Sequence, residues 1–212
     1  MPDTIVSRGK GTIYLNITNR CSCDCDFCFR SYADGVYGND LRLASEPSAD
    51  ELTREIELAF LDGPADEVAF VGMGEPTMRL DVVLAVTEWL TTRRLRSRLV
   101  TNGHGRLLNP DVDVAGRLAR VGLGEIAISL NAADPETYDR LCRPTFAKAF
   151  REVIGFARSC IDAGIATTLT AVDVPDADIE GCRAIAAAMG ASFRLRAWVP
   201  PEAGSQADDT MR

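Results

Sequence analysis

Four cysteines within a run of eight residues are the part of this sequence best suited to chemistry. Cys21, Cys25 and Cys28 are separated by three and then two residues, and Cys23 lies between the first two. Thiolates are strong ligands for zinc and for iron–sulfur clusters, so a loop with this spacing can wrap a compact metal site. Four ligating thiolates would close such a site, whereas three would leave one iron of a four-iron cluster open to a substrate. The spacing alone leaves a closed zinc or electron-transfer site and an open catalytic site as alternatives.

The whole chain has the composition of one globular domain from a reducing compartment. It has 212 residues, 46% of them hydrophobic, and its net charge of −8 disfavours nucleic acid and anionic lipid as general partners. We find no apolar run of the roughly eighteen residues that a membrane span needs, and no signal-peptide pattern. We therefore expect a cytoplasmic protein with no membrane partner, in which the seven cysteines are free rather than paired in disulfides.

Short β-branched segments alternate with amphipathic ones, which predicts a parallel sheet built from strand–helix units. We predict strands near residues 12–17, 67–72, 97–101, 125–131, 166–172 and 192–198. We predict helices over residues 49–61, 80–92, 111–120, 135–141, 146–163 and 178–189. Ser48 and Glu51 have capping-box spacing at the start of the first helix.

This pattern predicts an α/β fold of the partial, open (β/α)6 type, similar to an incomplete TIM barrel. Six units are too few to close an eight-stranded barrel. We expect residues 1–10 to form an N-terminal tail, residues 11–199 a single core domain, and residues 200–212 a flexible C-terminal tail. Both open sheets and barrels bind ligands at the carboxyl ends of their strands.

Polar residues and glycines follow the ends of the second, third and fourth predicted strands. The turn after the second strand is Gly72-Met73-Gly74-Glu75-Pro76, in which a glycine permits close backbone approach and the carboxylate can accept hydrogen bonds from an ammonium group. Asn102 ends the third strand, and alternation places Ser129 and Asn131 on one side at the end of the fourth. Taken singly, each is as readily a turn or helix-cap residue.

The cysteine spacing, with the aromatic Phe27 directly before the last cysteine, resembles that of the radical S-adenosylmethionine (SAM) superfamily. The segment 72–76 is similar to the family's Gly-Gly-Glu-Pro element, with Met73 in place of a glycine. The resemblance extends from Tyr14 to about Trp198. It implies a [4Fe–4S] cluster ligated by three thiolates, with the amine and carboxylate of SAM on the fourth iron. The implied ligands are Cys21, Cys25 and Cys28.

In that superfamily the reduced cluster cleaves SAM to methionine and a 5′-deoxyadenosyl radical, which abstracts a hydrogen atom from the substrate. The resemblance therefore implies an oxidoreductase or lyase, and an electron donor such as flavodoxin or ferredoxin. It also implies a set of residues around SAM at the strand ends. These are Phe27, Gly72, Gly74, Glu75, Pro76, Asn102, Ser129, Asn131, Arg143, Val172 and Asp173.

Arg194 and Arg196 alternate along the last predicted strand and so share one face. If that face is the barrel interior, two guanidinium groups near the radical favour an anionic substrate such as a nucleotide, a phosphate ester or an acid. A half-exposed edge strand is the alternative. The substrate itself stays undetermined, whether a small molecule or a macromolecule.

The remaining cysteines and the single histidine bear on whether the chain is a catalytic, a structural or an activating protein. We expect Cys23 not to be a ligand, Cys142, Cys160 and Cys182 to be core residues, and His104 to be a loop residue rather than a general base. A non-catalytic iron–sulfur or zinc module, with Cys23 as a fourth ligand, and an activase that installs a radical on a partner protein remain alternatives.

Within the superfamily, segments 14–20, 28–30, 129–132 and 143–144 look like those of the short TatD-associated radical SAM proteins. The name of that group implies an association with a TatD-family nuclease pathway, and it does not specify a reaction.

Overall fold

The computed structural model describes residues 4–36 and 39–198. The strands in chain order are β1 (Val6–Gly9), β2 (Thr12–Leu15), β3 (Gly35–Val36), β4 (Asn39–Asp40), β5 (Glu67–Phe70), β6 (Ser97–Thr101), β7 (Glu125–Ser129), β8 (Ala166–Asp173) and β9 (Ser192–Ala197). The helices are α1 (Ala49–Leu61), α2 (Leu80–Thr92), α3 (Gly105–Leu108), α4 (Val114–Arg120), α5 (Pro135–Cys142), α6 (Ala149–Asp162) and α7 (Ile179–Met189).

The main sheet has seven strands in the order β1-β2-β5-β6-β7-β8-β9. The strands from β2 to β9 in this order pair in parallel, and β1 pairs antiparallel with β2 at one edge. Because β9 forms the other edge and does not pair with β1, the sheet is an open, partial barrel. The predicted α/β fold is confirmed.

The two faces of the sheet differ in polarity. Leu15, Phe70, Leu99 and Ile126 lie side by side across four strands, and all four are fully buried under the helices. The adjacent row on the opposite face contains Tyr14, Ala69, Arg98 and Glu125. The helices thus cover the apolar outer face, and the partly polar face forms the inner, concave side of the barrel.

The predicted helices 49–61 and 80–92 and the predicted strand 97–101 have the bounds of α1, α2 and β6, and the capping box between Ser48 and Glu51 is present. The other predicted elements differ by one to three residues at an end, because the hydrogen bonding and the apolar pattern do not stop at the same residue. The four-residue helix α3 and the β3–β4 hairpin were not predicted, because neither is long enough to show a period.

Residues 1–10 were predicted to form a tail, and this is wrong for Val6–Gly9, which form strand β1. Lys10 and Gly11 have φ values of +45° and +76°, which suit a two-residue hairpin turn that folds β1 back on β2. The Arg8 guanidinium then donates to the carbonyl oxygens of Ala59, Gly63 and Pro64 at the end of α1. The expected C-terminal tail, residues 200–212, lies outside the described residues, and the rest of the domain division stays a prediction.

No helix in the described part of the chain is both long and apolar enough to cross a lipid bilayer.

Candidate functional site

The cysteine loop, which we define as residues 18–28, follows β2 and packs against the turn that follows β5. The Glu75 amide donates to the Arg20 carbonyl oxygen at 2.7 Å. A Cβ atom on Gly74 would overlap the backbone carbonyl oxygens of Thr18 and Arg20, so only glycine permits this contact. The close approach expected of Gly74 therefore occurs, and its partner is the cysteine loop.

On its other side the cysteine loop runs antiparallel to the segment that ends α5. Backbone hydrogen bonds run from Asp24 to the Cys142 carbonyl (3.2 Å), from Asp26 to the Leu141 carbonyl (3.0 Å) and from Thr145 to the Ser22 carbonyl (2.9 Å). These bonds fix the loop backbone independently of any ligand.

Arg143 adds a charged contact at the same place. Its guanidinium lies 2.8 Å from an Asp26 carboxylate oxygen and 3.4 Å from one of Asp24, and it donates to the Asp24 carbonyl at 2.6 Å. Arg143 was predicted to contact SAM, and in the structure it contacts the cysteine loop. Arg140, on α5, pairs instead with Asp176 at 2.7 Å.

The three predicted ligands Cys21, Cys25 and Cys28 are free and half-buried on this loop. Hydrogen bonds from the Cys142 and Cys23 thiols, together with the nearby Arg30 charge, lower the pKa of Cys25 to about 4. Burial raises the pKa of Cys21 to about 11 and also raises that of Cys28, although a bound iron would deprotonate both thiols. The donor set thus fits an iron–sulfur cluster in chemistry and exposure.

Within residues 4–36 and 39–198, no three His, Cys, Asp or Glu side chains are arranged to hold a single metal ion. The thiolates of a four-iron cluster each bind a different iron, so they need not converge on one point. Cys28 lines a cavity of about 200 Å³ together with Asn19, Asp24, Arg30, Ser31, Arg42 and Met73. Arg30 donates from this cavity wall to the carbonyl oxygens of Asn19 and Met73.

Glu75 is 2% exposed, and its carboxylate accepts hydrogen bonds from inside the protein. The donors are the Thr101 hydroxyl at 2.7 Å, the Asn102 amide at 2.6 Å, and the amide and hydroxyl of Thr77. Burial raises the pKa of Glu75, and these hydrogen bonds oppose that shift. Glu75 therefore connects the ends of β5 and β6, and its oxygens already have partners. Pro76 is buried beside it, at the start of a short 3-10 turn.

Asn102 and Asn131 use their side chains to contact cysteines. The Asn102 side-chain amide donates to the Ser22 hydroxyl at 3.0 Å and lies 3.5 Å from the Cys23 sulfur. The Asn131 side-chain amide lies 3.7 Å from the Cys142 sulfur. Both asparagines thus lie at the strand ends where they were predicted, and both support the cysteine loop or its neighbour.

Cys142 is buried, as expected, but its place beside Cys25 was not predicted. Its thiol contributes most to lowering the pKa of Cys25, followed by the thiol of Cys23. Cys142 is far from the loop in sequence, so only the path of α5 brings the two sulfurs together. Cys160 and Cys182 are fully buried on α6 and α7.

His104 is a second residue whose role the sequence did not show. It is fully buried, and its ring nitrogens lie 2.9 Å from the Ser22 hydroxyl and 2.9 Å from the Tyr138 hydroxyl. Burial lowers the pKa of His104 to about 4, so the imidazole is neutral at pH 7. It acts as a bridge between the cysteine loop and α5.

The remaining predicted residues lie around the inner face or the loop. Ser129 is half-buried and pairs with Thr170, which pairs in turn with Arg194 on β9. Arg196 pairs with Val172 on the same face, and both arginines are exposed. The strand is thus an exposed edge, and its two arginines share the inner face. Asp173 is exposed at the end of β8, and Phe27 is half-buried against the core.

Residues 15–186 match the Radical SAM superfamily. A probable GTP 3′,8-cyclase from Saccharolobus solfataricus is 30% identical over 151 residues, which are 71% of this chain and 44% of the relative. The dual-specificity RNA methyltransferase RlmN from Syntrophotalea carbinolica is 29% identical over 135 residues, covering 62% and 33%. The chain thus spans less than half the length of these curated relatives.

Solved structures show the same fold. Streptococcus suis SuiB bound to its precursor peptide SuiA superposes with a TM-score of 0.71 at 16% identity, over 92% of this chain and 40% of that one. The structure of native anSMEcpe with bound AdoMet gives a TM-score of 0.64 at 16% identity, over 89% and 51%. Taken with the cysteine loop, the match over residues 15–186 shows that this chain belongs to the radical SAM superfamily, whose enzymes use a [4Fe–4S] cluster and S-adenosylmethionine.

Proposed function

We propose that this chain forms the catalytic core of a radical SAM enzyme, with Cys21, Cys25 and Cys28 as the ligands of its [4Fe–4S] cluster. When bound, the cluster supplies the electron that cleaves SAM to methionine and a 5′-deoxyadenosyl radical, which removes a hydrogen atom from the substrate. The observation that carries this proposal is the placement of three half-buried thiols on one loop, which the ends of β5, β6 and α5 position at the carboxyl edge of the sheet.

The chain's own residues divide into two groups around SAM. Phe27, Ser129, Val172 and Asp173 lie at the loop and strand ends and are proposed to contact SAM directly. Positioning residues keep the cysteine loop against the sheet, and their side chains or backbones already contact that loop or its supports. These are Gly72, Gly74, Glu75, Pro76, Asn102, Asn131 and Arg143.

The inner face favours an anionic substrate. Ser129, Thr170 and Arg194 form one row across β7, β8 and β9. The Thr170 hydroxyl is buried, and no hydrogen-bond partner for it is present among the described residues. Such a hydroxyl beside an arginine suits a polar, negatively charged group. Two relatives are named for GTP and RNA, both of which carry phosphates, and this supports a phosphate-bearing substrate.

We further propose a subgroup, an electron donor and a cellular compartment for this chain, from its motifs and from the chemistry of the cofactor. The segments 14–20, 28–30, 129–132 and 143–144 support membership of the TatD-associated group. The cluster requires a low-potential electron donor, for which flavodoxin or ferredoxin is proposed. Free cysteines and a reducible cluster suit a reducing compartment, for which the cytoplasm is proposed.

The test is product formation by the anaerobically reconstituted full chain. With dithionite and SAM, we expect 5′-deoxyadenosine by mass spectrometry, and none from the Cys25→Ala variant. Cys160→Ala is the matched control, because Cys160 is fully buried on α6 and absent from the contacts of the cysteine loop. A wild-type chain with a complete four-iron cluster and no SAM cleavage product would overturn the proposal in favour of an electron-transfer module.

A further inference from the structure

The two segments that lead into β6 and β7 are basic. Residues 89–100, which include the end of α2 and most of β6, contain four arginines and no aspartate or glutamate. Residues 114–124, which include α4 and the turn before β7, contain two arginines and no acidic residue. Since the whole chain has a net charge of −8, this concentration of positive charge is local.

The two segments contact each other where their helices end. The Thr91 hydroxyl, in the last turn of α2, donates to the carbonyl oxygen of Val121, which directly follows α4, at 2.8 Å. Arg94 and Arg120 lie beside this contact, one on each segment. Both segments precede the first residue of a parallel strand, so they lie at the amino edge of the sheet, opposite the cysteine loop.

Four of these arginines are exposed and form no salt bridge. Among residues 4–36 and 39–198, none of their side chains has a hydrogen-bond or salt-bridge partner. Arg93, by contrast, pairs with Glu57 at 3.5 Å. The Glu67 carboxylate, whose charge interacts with that of Arg96, is held by Arg98 at 2.6 Å. We call the four unpaired arginines the basic edge, and they are Arg94, Arg96, Arg117 and Arg120.

The ends of the helices explain only part of this charge. A cation in the last turn of a helix interacts favourably with the helix dipole, and this accounts for Arg117 and Arg120 on α4. It does not account for Arg96, which lies beyond α2 and directly before β6. The guanidinium groups therefore remain available to an anion outside the protein.

The surroundings of the basic edge favour phosphate over a protein surface. Interfaces between proteins have an apolar centre, whereas contacts to phosphate come from arginine, lysine and polar side chains. The exposed large apolar side chains of the described residues lie on α1 and at β9, away from both basic segments. They are Leu58, Leu61, Leu195 and Trp198.

We propose that the basic edge binds the phosphodiester backbone of a nucleic acid strand. The planar guanidinium group donates two parallel hydrogen bonds to phosphate oxygens, and four such groups on adjoining segments suit a chain of phosphates. Because this surface lies at the edge opposite the cysteine loop, it is separate from the proposed cluster site, and binding to it does not require SAM.

The experiment measures binding of the reconstituted full chain to a fluorescently labelled, mixed-sequence RNA of about 16 nucleotides, by fluorescence anisotropy at several salt concentrations. Two variants, Arg94→Gln/Arg120→Gln and Arg96→Gln/Arg117→Gln, each remove two charges. We expect each to bind about tenfold more weakly, with the slope of log affinity against log salt reduced by about 0.7 for each lost contact. DNA of the same sequence should show the same loss, because its backbone has the same phosphodiesters.

Arg54→Gln/Arg151→Gln is the matched control. Both arginines are exposed, form no salt bridge among the described residues, and lie in the amino-terminal halves of α1 and α6, towards the carboxyl edge of the sheet. The control changes the net charge by the same amount, and we expect it to bind RNA as the wild type does.

Equal affinity and equal salt slope in the basic-edge variants and the control would overturn the inference, since the arginines would then serve only the helix ends. Displacement of the RNA by poly-glutamate at the same concentration of charge would overturn it in favour of an acidic protein. The two variants share no residue, so either one tests the inference if the other does not fold. Absence of SAM cleavage would contradict the proposed function and leave this result unaffected.

Discussion

His104 shows how one buried side chain can join the cysteine loop to the rest of the molecule. Its two ring nitrogens contact Ser22 and Tyr138, and the edge of its ring packs against Phe146 with 5.8 Å between ring centroids. A neutral imidazole can donate from one nitrogen and accept at the other, so it can bridge two hydroxyl groups. The nearby thiol of Cys23, 3.8 Å from the ring, completes the polar surroundings.

This burial makes the stability of the protein depend on pH. The unfolded chain binds a proton on His104 near pH 6.5 and the folded chain near pH 4, so the free energy of unfolding falls as the pH drops through this window. For the wild-type protein without cluster, we expect a loss of roughly 3 kcal/mol from this group between pH 7.5 and pH 4. His104→Gln should reduce this dependence in denaturant titrations at several pH values.

His104 is the only histidine of the chain, so no other imidazole contributes to the difference between the two proteins. The same pH dependence in the wild type and the variant would contradict a buried, neutral His104.

At the residue scale, the sequence predicted the cysteines of the loop but not their neighbours. The spacing of Cys21, Cys25 and Cys28 is local, so it is visible in the sequence. The contacts of Cys142 and His104 with the loop depend on where α5 and the turn after β6 lie after folding. A histidine or cysteine in such a segment has no local pattern that distinguishes it from an ordinary core or loop residue.

At the scale of elements, the turn after β5 and the cysteine loop form one packed unit. Gly72 and Gly74 both lack the space for a side chain: a Cβ on Gly72 would overlap Asn16, and one on Gly74 would overlap the loop backbone. The Asn16 side chain in turn accepts from the Met73 amide at 3.2 Å and donates to the Leu41 carbonyl at 2.7 Å. The glycines of this motif are therefore explained by contacts between protein segments.

Gly74→Ala should accordingly displace the cysteine loop. Because backbone carbonyl oxygens cannot move aside as a flexible side chain can, we expect a loss of about 2–4 kcal/mol in the free energy of unfolding and fewer irons per chain after reconstitution. Denaturant titration and iron analysis measure both effects.

Gly155→Ala is the matched control, since a Cβ there would meet only the end of the Arg106 side chain, and alanine favours helix α6. Iron binding as complete in Gly74→Ala as in Gly155→Ala would show that the turn does not position the loop.

At the scale of the whole molecule, the order of strands and helices was more predictable than the arrangement of side chains on the inner face of the sheet. Alternation of strands and helices indicated the parallel sheet, because each buried strand and each amphipathic helix carries its own period. The edge strand β1 was not predicted, since its residues Val6–Gly9 show little apolar pattern and its pairing depends on the Lys10–Gly11 turn. The row from Ser129 through Thr170 to Arg194 depends on strand register, which the sequence does not specify.

The whole-molecule architecture places the cysteine loop at the carboxyl edge of an open sheet. We propose that Cys21, Cys25 and Cys28 ligate the cluster and that its fourth iron is open to SAM. The electron paramagnetic resonance (EPR) spectrum of the reduced, fully loaded wild-type chain, recorded with and without SAM, is the decisive measurement. We expect SAM to change the spectrum of the cluster, and Cys23→Ala to give the same change. An identical spectrum with and without SAM, in a chain that holds all four irons, would contradict it.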